Sequence, residues 1–184
     1  MTTHSIAVVN HDRLARTDLS GLRRLFDSEY REEFGDWDPE QPYGYASHDV
    51  HVIARIGDRI VGHAGWARRT ITVGVEAVVI AGVGGVLISD DARGQRLGAD
   101  LLQTAERSMR AHGGIDFGYL GCREGIVSFY AACGWTRIRA GERSIGRSGE
   151  PVADPPGQPI LILPISASGR SWPEGEIDLR GRAW

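Results

Sequence analysis

The sequence predicts one domain of mixed α/β class, α+β in type, in which helices are interleaved among the strands of a largely antiparallel sheet. Of its 184 residues, 41% are hydrophobic and 24% are charged, which is typical of a globular protein. Segments with the periodicity of strands alternate with segments of helical spacing, and turns rich in Gly and Pro separate them. A chain of this length can bury a full core, so we expect a single domain spanning residues 1–184.

The first half of the chain predicts a strand, a helix and a group of strands. Residues 5–12 are typical of a strand, and Leu19 to Phe34 has the apolar spacing of an amphipathic helix. Residues 35–49 are rich in Gly, Pro and aromatic residues, which favours a loop. Residues 50–74 predict two strands joined at Gly57-Asp58, and 76–89 predict another strand. Glycines within that last strand indicate a bulge or a close backbone approach.

The second half predicts two helices and further strands. Helical spacing runs from Leu97 to Met109 and is followed by Gly113-Gly114, a plausible helix end. Residues 116–122 predict a short strand and 124–133 a short helix. We interpret residues 149–159 as a Pro- and Gly-rich linker, 160–165 as a strand, and 171–184 as an extended or hairpin-like run.

Composition excludes several classes of protein. The chain contains no lysine, and all 21 basic residues are arginine, which rules out Schiff-base chemistry on a lysine. Cys122 and Cys133 form neither a disulfide framework nor a metal-site spacing, and His48 and His51 lack the companions of a metal site. The net charge of −3 argues against nonspecific nucleic-acid binding. Neither a membrane-spanning run nor a signal peptide is evident, so we expect a cytoplasmic protein without a metal.

An acidic segment lies between Asp27 and Asp49. Eight acidic residues minus Arg31 give it a local charge of −7. One interpretation is a solvated helix face followed by a polar loop. The other is an electrostatic funnel for a cationic ligand, in which Asp36 and Asp38 are the candidate substrate-binding residues.

Residues 85–102 place a turn rich in Gly and Arg between a strand and a helix. A helix N-terminus presents unpaired N–H groups and the positive end of the helix dipole, and glycine lets backbone approach a phosphate. We therefore expect a pyrophosphate site, although an exposed loop with two solvated arginines is the simpler interpretation. Its candidate residues are Arg93, Gly94, Gln95, Arg96, Leu97 and Gly98.

Two motifs here resemble those of the Gcn5-related N-acetyltransferase (GNAT) superfamily. The sequence RGQRLG (93–98) resembles its acyl-CoA signature, and SFYAACGW (128–135) resembles its next motif. The resemblance implies a bulged fourth strand that splays from the fifth, with the thioester of acetyl-CoA in the gap. It implies that an amine attacks the thioester directly, without a covalent enzyme intermediate.

The resemblance also implies roles for particular residues. Backbone N–H groups of Val86, Leu87 and Ile88 would hold the pantetheine arm and polarise the carbonyl. Tyr130 would be the general acid that protonates the departing thiolate, unless it is only a packed helix aromatic. We interpret Cys133 as a core residue, because no Cys–His pair is evident.

Within the superfamily, the chain resembles aminoglycoside 2'-N-acetyltransferases from about Ile60 to Trp135, and again in the final DLRGRAW. The tail SWPEGEIDLRG also resembles nodulation N-acyltransferases. Both imply transfer to the amine of a small cationic amino sugar, and the family implies a homodimer. The family's substrate carboxylate falls on Gly84, an acidic position falls on Arg182, and Arg96 replaces the central glycine of the general CoA pattern. These departures suit a smaller or carboxyl-bearing aminoglycoside such as kasugamycin.

The sequence leaves the general base open. The candidates are the α-carboxylate of Trp184, Asp36 or Asp38 acting through water, and His48; Gly84, Gly85 and Trp184 are further candidate substrate contacts. Three other functions also remain open. They are transfer of a longer acyl chain or to a different amino sugar, a noncatalytic acyl-CoA-binding regulator, and a protein N-terminal acetyltransferase.

Overall fold

The computed structural model describes residues 4–184, and within this range the chain forms one sheet and three α-helices. The strands are β1 (His4–Asn10), β2 (Val50–Ile56), β3 (Arg59–Val73), β4 (Glu76–Ile88), β5 (Phe117–Gly121), β6 (Thr136–Ile138), β7 (Glu142–Ile145), β8 (Pro151–Asp154), β9 (Ile160–Pro164) and β10 (Ile177–Arg182). The helices are α1 (Arg16–Phe34), α2 (Leu97–His112) and α3 (Val127–Ala132). The predicted α+β class is confirmed.

Alternating side chains of the central strands explain why helices cover both faces of the sheet. On β2, Val52 and Ala54 point into the cluster that contains α2, whereas Ile53 points into the cluster that contains α1. The buried residues of each helix recur at helical spacing: Leu22, Leu25 and Phe26 on α1, and Leu97, Leu101, Leu102, Ala105 and Met109 on α2. Full burial of one such large side chain contributes about 1.5–3 kcal/mol. None of the helices between residues 4 and 184 combines the length and hydrophobicity that crossing a bilayer requires.

The sheet opens at its centre, between β4 and β5. The strand order is β6-β9-β5-β4-β3-β10-β7-β8, and β1 and β2 pair beside the first part of β3. The parallel pairing of β4 with β5 covers only residues 80–82 against 117–119. The two strands separate beyond Gly82, which leaves a gap between neighbouring strands.

A bulge in β4 lies at the mouth of this gap. His63 pairs with Leu87 and Gly65 pairs with Gly84, so Ala64 alone on β3 faces two residues of β4. Gly85, one of those two, has φ +57, a conformation that glycine adopts without the steric cost of a Cβ. The bulge and the splay implied by the GNAT resemblance are both present.

The C-terminal third has more strands than the sequence predicts. Residues 149–159, interpreted above as a linker, contain β8, which pairs with β7. The interpretation was wrong because the Pro and Gly content concealed a four-residue edge strand. The terminal run is extended, as one of the two predictions had it, and its strand β10 lies between β3 and β7.

Candidate active site

A cleft of about 630 Å³ fills the gap between β4 and β5. Its floor includes residues 83–86 of β4, and its far side includes Leu120 and Tyr130. Aromatic side chains form much of the remaining wall: Phe26, Tyr30, Phe34, Tyr43, Tyr45 and Trp184. A hollow of about 690 Å³ along α1 is slightly larger, but it is formed mainly by one helix face and exposes no strand backbone.

The predicted anion loop lies between β4 and α2. Residues 93–96 are exposed, whereas the side chain of Leu97 is buried in the core. Arg96 is the N-cap of α2 and has φ +61, so it adopts the left-handed conformation that favours glycine. Arg93 pairs with Asp90 at 2.6 Å and with Glu29 at 3.3 Å, and it also lines the cleft. The structure thus brings the loop, the start of α2 and the cleft together.

The three residues predicted to bind pantetheine begin at the second residue of the bulge, Val86. Val86 lines the cleft, whereas the side chain of Leu87 is buried and packs with α1 residues. Leu87 and Ile88 pair with His63 and Gly62 of β3, on the side of β4 away from the gap. Backbone rather than side chains is therefore what β4 offers beside the gap.

Tyr130 lines the cleft from α3 and is only 6% exposed. Burial raises the pKa of its phenol, and the neighbouring Cys122 and Cys133 raise it further. The phenol therefore keeps its proton until a stronger base appears beside it. Burial also raises the pKa of both cysteine thiols, which keeps them from acting as thiolates. Both cysteines are partly buried and pack against the core rather than inside it, which corrects the interpretation of Cys133 as a core residue.

Two groups occupy the space that a side chain at position 84 would take. A Cβ added to Gly84 would lie 2.8 Å from the carbonyl carbon of Trp184 and 3.1 Å from Nε2 of His48. The indole of Trp184 covers Gly82, where an added Cβ would come within 2.2 Å of the ring. The guanidinium of Arg69 lies 3.8 Å from the centre of that indole on a cation–π contact. Trp184 and His48 are thus brought to Gly84 from distant parts of the chain.

The two candidate substrate-binding acids of the acidic segment, Asp36 and Asp38, lie outside the cleft. Asp36 is exposed and pairs with Arg31 at 3.0 Å, and exposed Asp38 accepts a hydrogen bond from the N–H of Glu40 at 2.9 Å. Neither lines the cleft, whose charged side chains in the described part of the chain are Arg93 and Arg123. The structure does not bring Asp36 and Asp38 to the other candidate residues, and their role in substrate binding stays a prediction.

Beneath the bulge lies a row of hydrogen-bonded histidines that the sequence analysis did not predict. Nδ1 of His63 lies 2.7 Å from the carbonyl oxygen of Gly85, Nε2 of His63 lies 2.9 Å from Nδ1 of His51, and Nε2 of His51 lies 3.0 Å from Nδ1 of His11. Nε2 of His11 ends the row at Glu40, 2.8 Å away. Because a carbonyl only accepts, His63 must carry its hydrogen on Nδ1, which fixes His51 as a donor through Nδ1 in turn. Burial lowers the pKa of His51 to about 3 and that of His63 to about 4, so both are neutral.

The sequence held one signal for this row. In the β2–β3 hairpin Ile53 pairs with His63 and His51 pairs with Gly65, so the two histidines are diagonal neighbours on one face. Correct hairpin register would have predicted their contact. No signal of this kind existed for His11, which joins them through the pairing of β1 with β2. No group of three or more His, Cys, Asp or Glu side chains in residues 4–184 is arranged to hold a metal ion.

Several solved structures share this architecture, and some of them are named as acyltransferases. Escherichia coli ElaA is similar with a TM-score of 0.62 and 18% identity, over 86% of this chain and 99% of that one. The E. coli GNAT-family N-acetyltransferase YhbS, solved with CoA, has a TM-score of 0.62 and 13% identity over 97% and 91% of the two chains. An acyl-CoA N-acyltransferase from Pseudomonas aeruginosa has a TM-score of 0.59 and 15% identity over 87% and 99%. At these identities the similarity establishes a common fold.

The chain thus has the fold of a class of structures that includes GNAT-family acetyltransferases and other acyltransferases. Within that class, the model of the nodulation protein A (NodA) family matches residues 6–182. Because the match spans nearly the whole chain, the protein belongs to the NodA family. This confirms the resemblance to nodulation acyltransferases, whereas the closer resemblance to aminoglycoside 2'-N-acetyltransferases stays a prediction.

Proposed function

We propose that this protein transfers an acetyl group from acetyl-CoA to the primary amine of an amino sugar. The observation that carries the proposal is the open gap beside a glycine bulge, with Tyr130 on one side and the start of α2 at one end. The same fold is found in YhbS, which was solved with CoA, and in a GNAT-family acetyltransferase of Brucella melitensis solved with acetyl-CoA.

The residues present fit an acyl-CoA. The start of α2 offers N–H groups and a positive dipole end to a pyrophosphate, and Arg96 and Arg93 add charge there. The bulge leaves backbone of residues 85 and 86 beside the gap, where a pantetheine arm needs hydrogen-bond partners. Residues 93 to 98 would hold the phosphates, and residues 86 to 88 the arm.

The chemistry asked of the protein is orientation and two proton movements. Holding the amine beside the thioester converts a bimolecular reaction into an intramolecular one. The neutral phenol of Tyr130 would supply a proton to sulfur as the carbon–sulfur bond breaks. The α-carboxylate of Trp184 stays a predicted acceptor of the amine proton, and its backbone carbon lies beside Gly84.

The charges of the cleft bear on the acceptor. A polycationic aminoglycoside would meet the charge of Arg123, which disfavours it electrostatically, whereas Asp90 and Glu29 balance the charge of Arg93. An amino sugar that carries a carboxyl group, such as kasugamycin, would find a partner in exposed Arg123. We therefore propose an acceptor with few positive charges and at least one acidic group, bound against Tyr43, Tyr45 and Trp184.

The test is CoA release from acetyl-CoA and from longer acyl-CoAs, followed with a thiol reagent. The acceptors are kasugamycin, a polycationic 4,6-linked aminoglycoside, glucosamine, a polyamine and a peptide N-terminus. We expect turnover with kasugamycin above all, and a loss of about tenfold in kcat/KM in R123Q, because an ionic hydrogen bond is worth about 1.5–3 kcal/mol. R107Q, on the outer face of α2, is the matched control and should match the wild type.

Three other results of the CoA-release assay would each identify a different function. Turnover only with longer acyl-CoAs would identify the donor as a longer acyl chain, and turnover only with the peptide would identify a protein N-terminal acetyltransferase. Tight binding of acetyl-CoA with no CoA release to any acceptor would identify a noncatalytic acyl-CoA-binding regulator.

A further inference from the structure

His48 lies in a slot between two paired glycines. Gly65 on β3 pairs with Gly84 on β4 at the edge of the bulge. A Cβ on Gly65 would lie 2.4 Å from Cγ of His48, and a Cβ on Gly84 would lie 3.1 Å from its Nε2. The absence of a side chain at both positions is what admits the imidazole against the strand backbone.

The backbone next to His48 is held in place. The N–H of Asp49 donates to the carbonyl of Trp66 at 3.0 Å, and its carboxylate accepts from the N–H of Arg68 at 2.8 Å. The residue that carries the imidazole is therefore tied to β3 through its neighbour.

Nε2 of His48 is buried and has no hydrogen-bond partner among residues 4–184. His48 is 5% exposed and lines the cleft together with Gly84 and Tyr130. A buried polar atom without a partner costs about 1–3 kcal/mol, so its presence beside a cleft points to a ligand that supplies the partner. Tyr43 Oη and Trp184 Nε1, on the same cleft, also lack partners within the described range.

The surroundings of the ring favour its neutral form. Burial lowers the pKa of His48 well below its usual value, and His63 on β3, His51 on β2 and His11 beyond β1 lower it further. Trp184, whose α-carboxylate is the other predicted base, also lies beside Gly84. A neutral imidazole has a lone pair free to accept a proton.

We propose that Nε2 of His48 accepts the proton of the attacking amine, in the space where Gly84 supplies no carboxylate. The inference rests on the proposed acyl transfer. The amine nitrogen bonds to the acyl carbon and passes one proton to Nε2, while the carbon–sulfur bond breaks and its electron pair goes to sulfur. Sulfur takes a proton from Tyr130, and water carries the proton of His48 away and restores that of Tyr130.

The other candidate bases are placed less well. Asp36 and Asp38 are exposed outside the cleft, and Asp36 is paired with Arg31. The carboxylate predicted at Trp184 is the one competitor beside Gly84. The experiment therefore separates His48 from Trp184.

The first measurement compares H48Q with the wild type, and with H112Q as a matched control on the exposed surface of α2. We expect kcat to fall by about 100-fold or more in H48Q, with an unchanged Kd for CoA by calorimetry, because general base catalysis contributes about 10²–10⁴-fold. The acidic limb of the kcat/KM profile below pH 6.5 should disappear in H48Q and persist in H112Q. Unchanged kcat in a folded H48Q would overturn the proposal.

Chemical rescue separates basicity from packing. In H48A, added imidazole should restore turnover, whereas pyrazole, which has nearly the same shape but is a far weaker base, should not. Equal rescue by both, or by neither while the variant still binds CoA, would assign His48 to packing alone and reject the proposal.

A variant with one glycine appended to Trp184 tests the α-carboxylate of Trp184 as the alternative base, because the added residue moves that carboxylate away from Gly84. Retention of the acidic limb in this variant supports His48, and loss of that limb alone, with H48Q active, makes Trp184 the base. The failure of the proposed function is distinct, because the wild type itself would then release no CoA with any acceptor.

Discussion

Arg96 has a backbone conformation that favours glycine, at the point where the general CoA pattern has one. Its φ of +61 costs about 1–2 kcal/mol for a residue with a Cβ. The side chain is exposed at the start of α2, so packing does not explain its presence. The predicted contact of its charge with a phosphate would explain it.

We therefore expect R96G to raise the free energy of unfolding by roughly 0.5 kcal/mol, because relief of strain exceeds the added chain entropy of about 0.4–1 kcal/mol. The same variant should bind CoA about tenfold more weakly, because it loses one ionic hydrogen bond. Urea unfolding and calorimetric titration measure the two effects. R96K keeps both strain and charge and should resemble the wild type; wild-type CoA affinity in R96G would remove Arg96 from the phosphate site.

At the scale of elements, four strands and the 35–49 loop meet in the histidine row. His11 follows β1, His51 and His63 come from β2 and β3, and the carbonyl at the end of the row belongs to β4. The row ties the bulge to the neighbouring strands. The neutrality of His51 and His63 makes this part of the sheet sensitive to acid.

The sign of this effect follows from the lowered pKa values. Between pH 6.5 and about 4 the unfolded chain binds protons at His51 and His63 that the folded chain does not bind, so stability falls as pH falls. Each histidine lowers the free energy of unfolding by at most about 1.4 kcal/mol per pH unit in this window. Urea unfolding between pH 7.5 and 4.5 measures the slope. H51N should reduce this slope by at most the contribution of one proton, and H112Q should leave the slope unchanged. Equal stability at pH 7.5 and 4.5 would contradict the neutral state of His51 and His63.

At the scale of the whole molecule, the C-terminal segment completes the cleft. β10 lies between β3 and β7, and Trp184 beyond it covers Gly82. The carbonyl of Ala183 accepts from the N–H of Ala46, which joins this segment to the loop after α1. The acceptor side of the cleft therefore depends on residues more than 130 positions apart.

Arg182 links the same parts of the molecule. Its Nη1 lies within hydrogen-bond distance of the carbonyls of Gly44, Gly146 and Arg147, at 2.6–2.9 Å. We expect R182A to lower the free energy of unfolding by roughly 2 kcal/mol and to raise KM for the acceptor more than Kd for CoA. R180A, an exposed arginine of the same strand, is the control. Equal effects of the two variants on KM would show that the arginine at 182 has no special role in the acceptor site.

The sequence by itself determined the α+β class, most central elements and the place of the loop that is predicted to bind an anion. These follow from local periodicity and from a strand–loop–helix order that needs no distant partner. It missed β6, β7 and β8, because strands of three or four residues are too short to show a clear period and β8 lies in a Pro- and Gly-rich stretch. Through the resemblance to aminoglycoside 2'-N-acetyltransferases, it also indicated that Gly84 stands where that family has a carboxylate.

Only the tertiary structure decided what lies beside Gly84. His48 reaches that position because Gly65 and Gly84 pair across two strands, and Trp184 reaches it because β10 joins the sheet at β3. The same structure leaves Asp36 and Asp38 outside the cleft. Such neighbours depend on strand register and on long-range pairing, whereas the patterns visible along a sequence report only contacts between residues close in the chain.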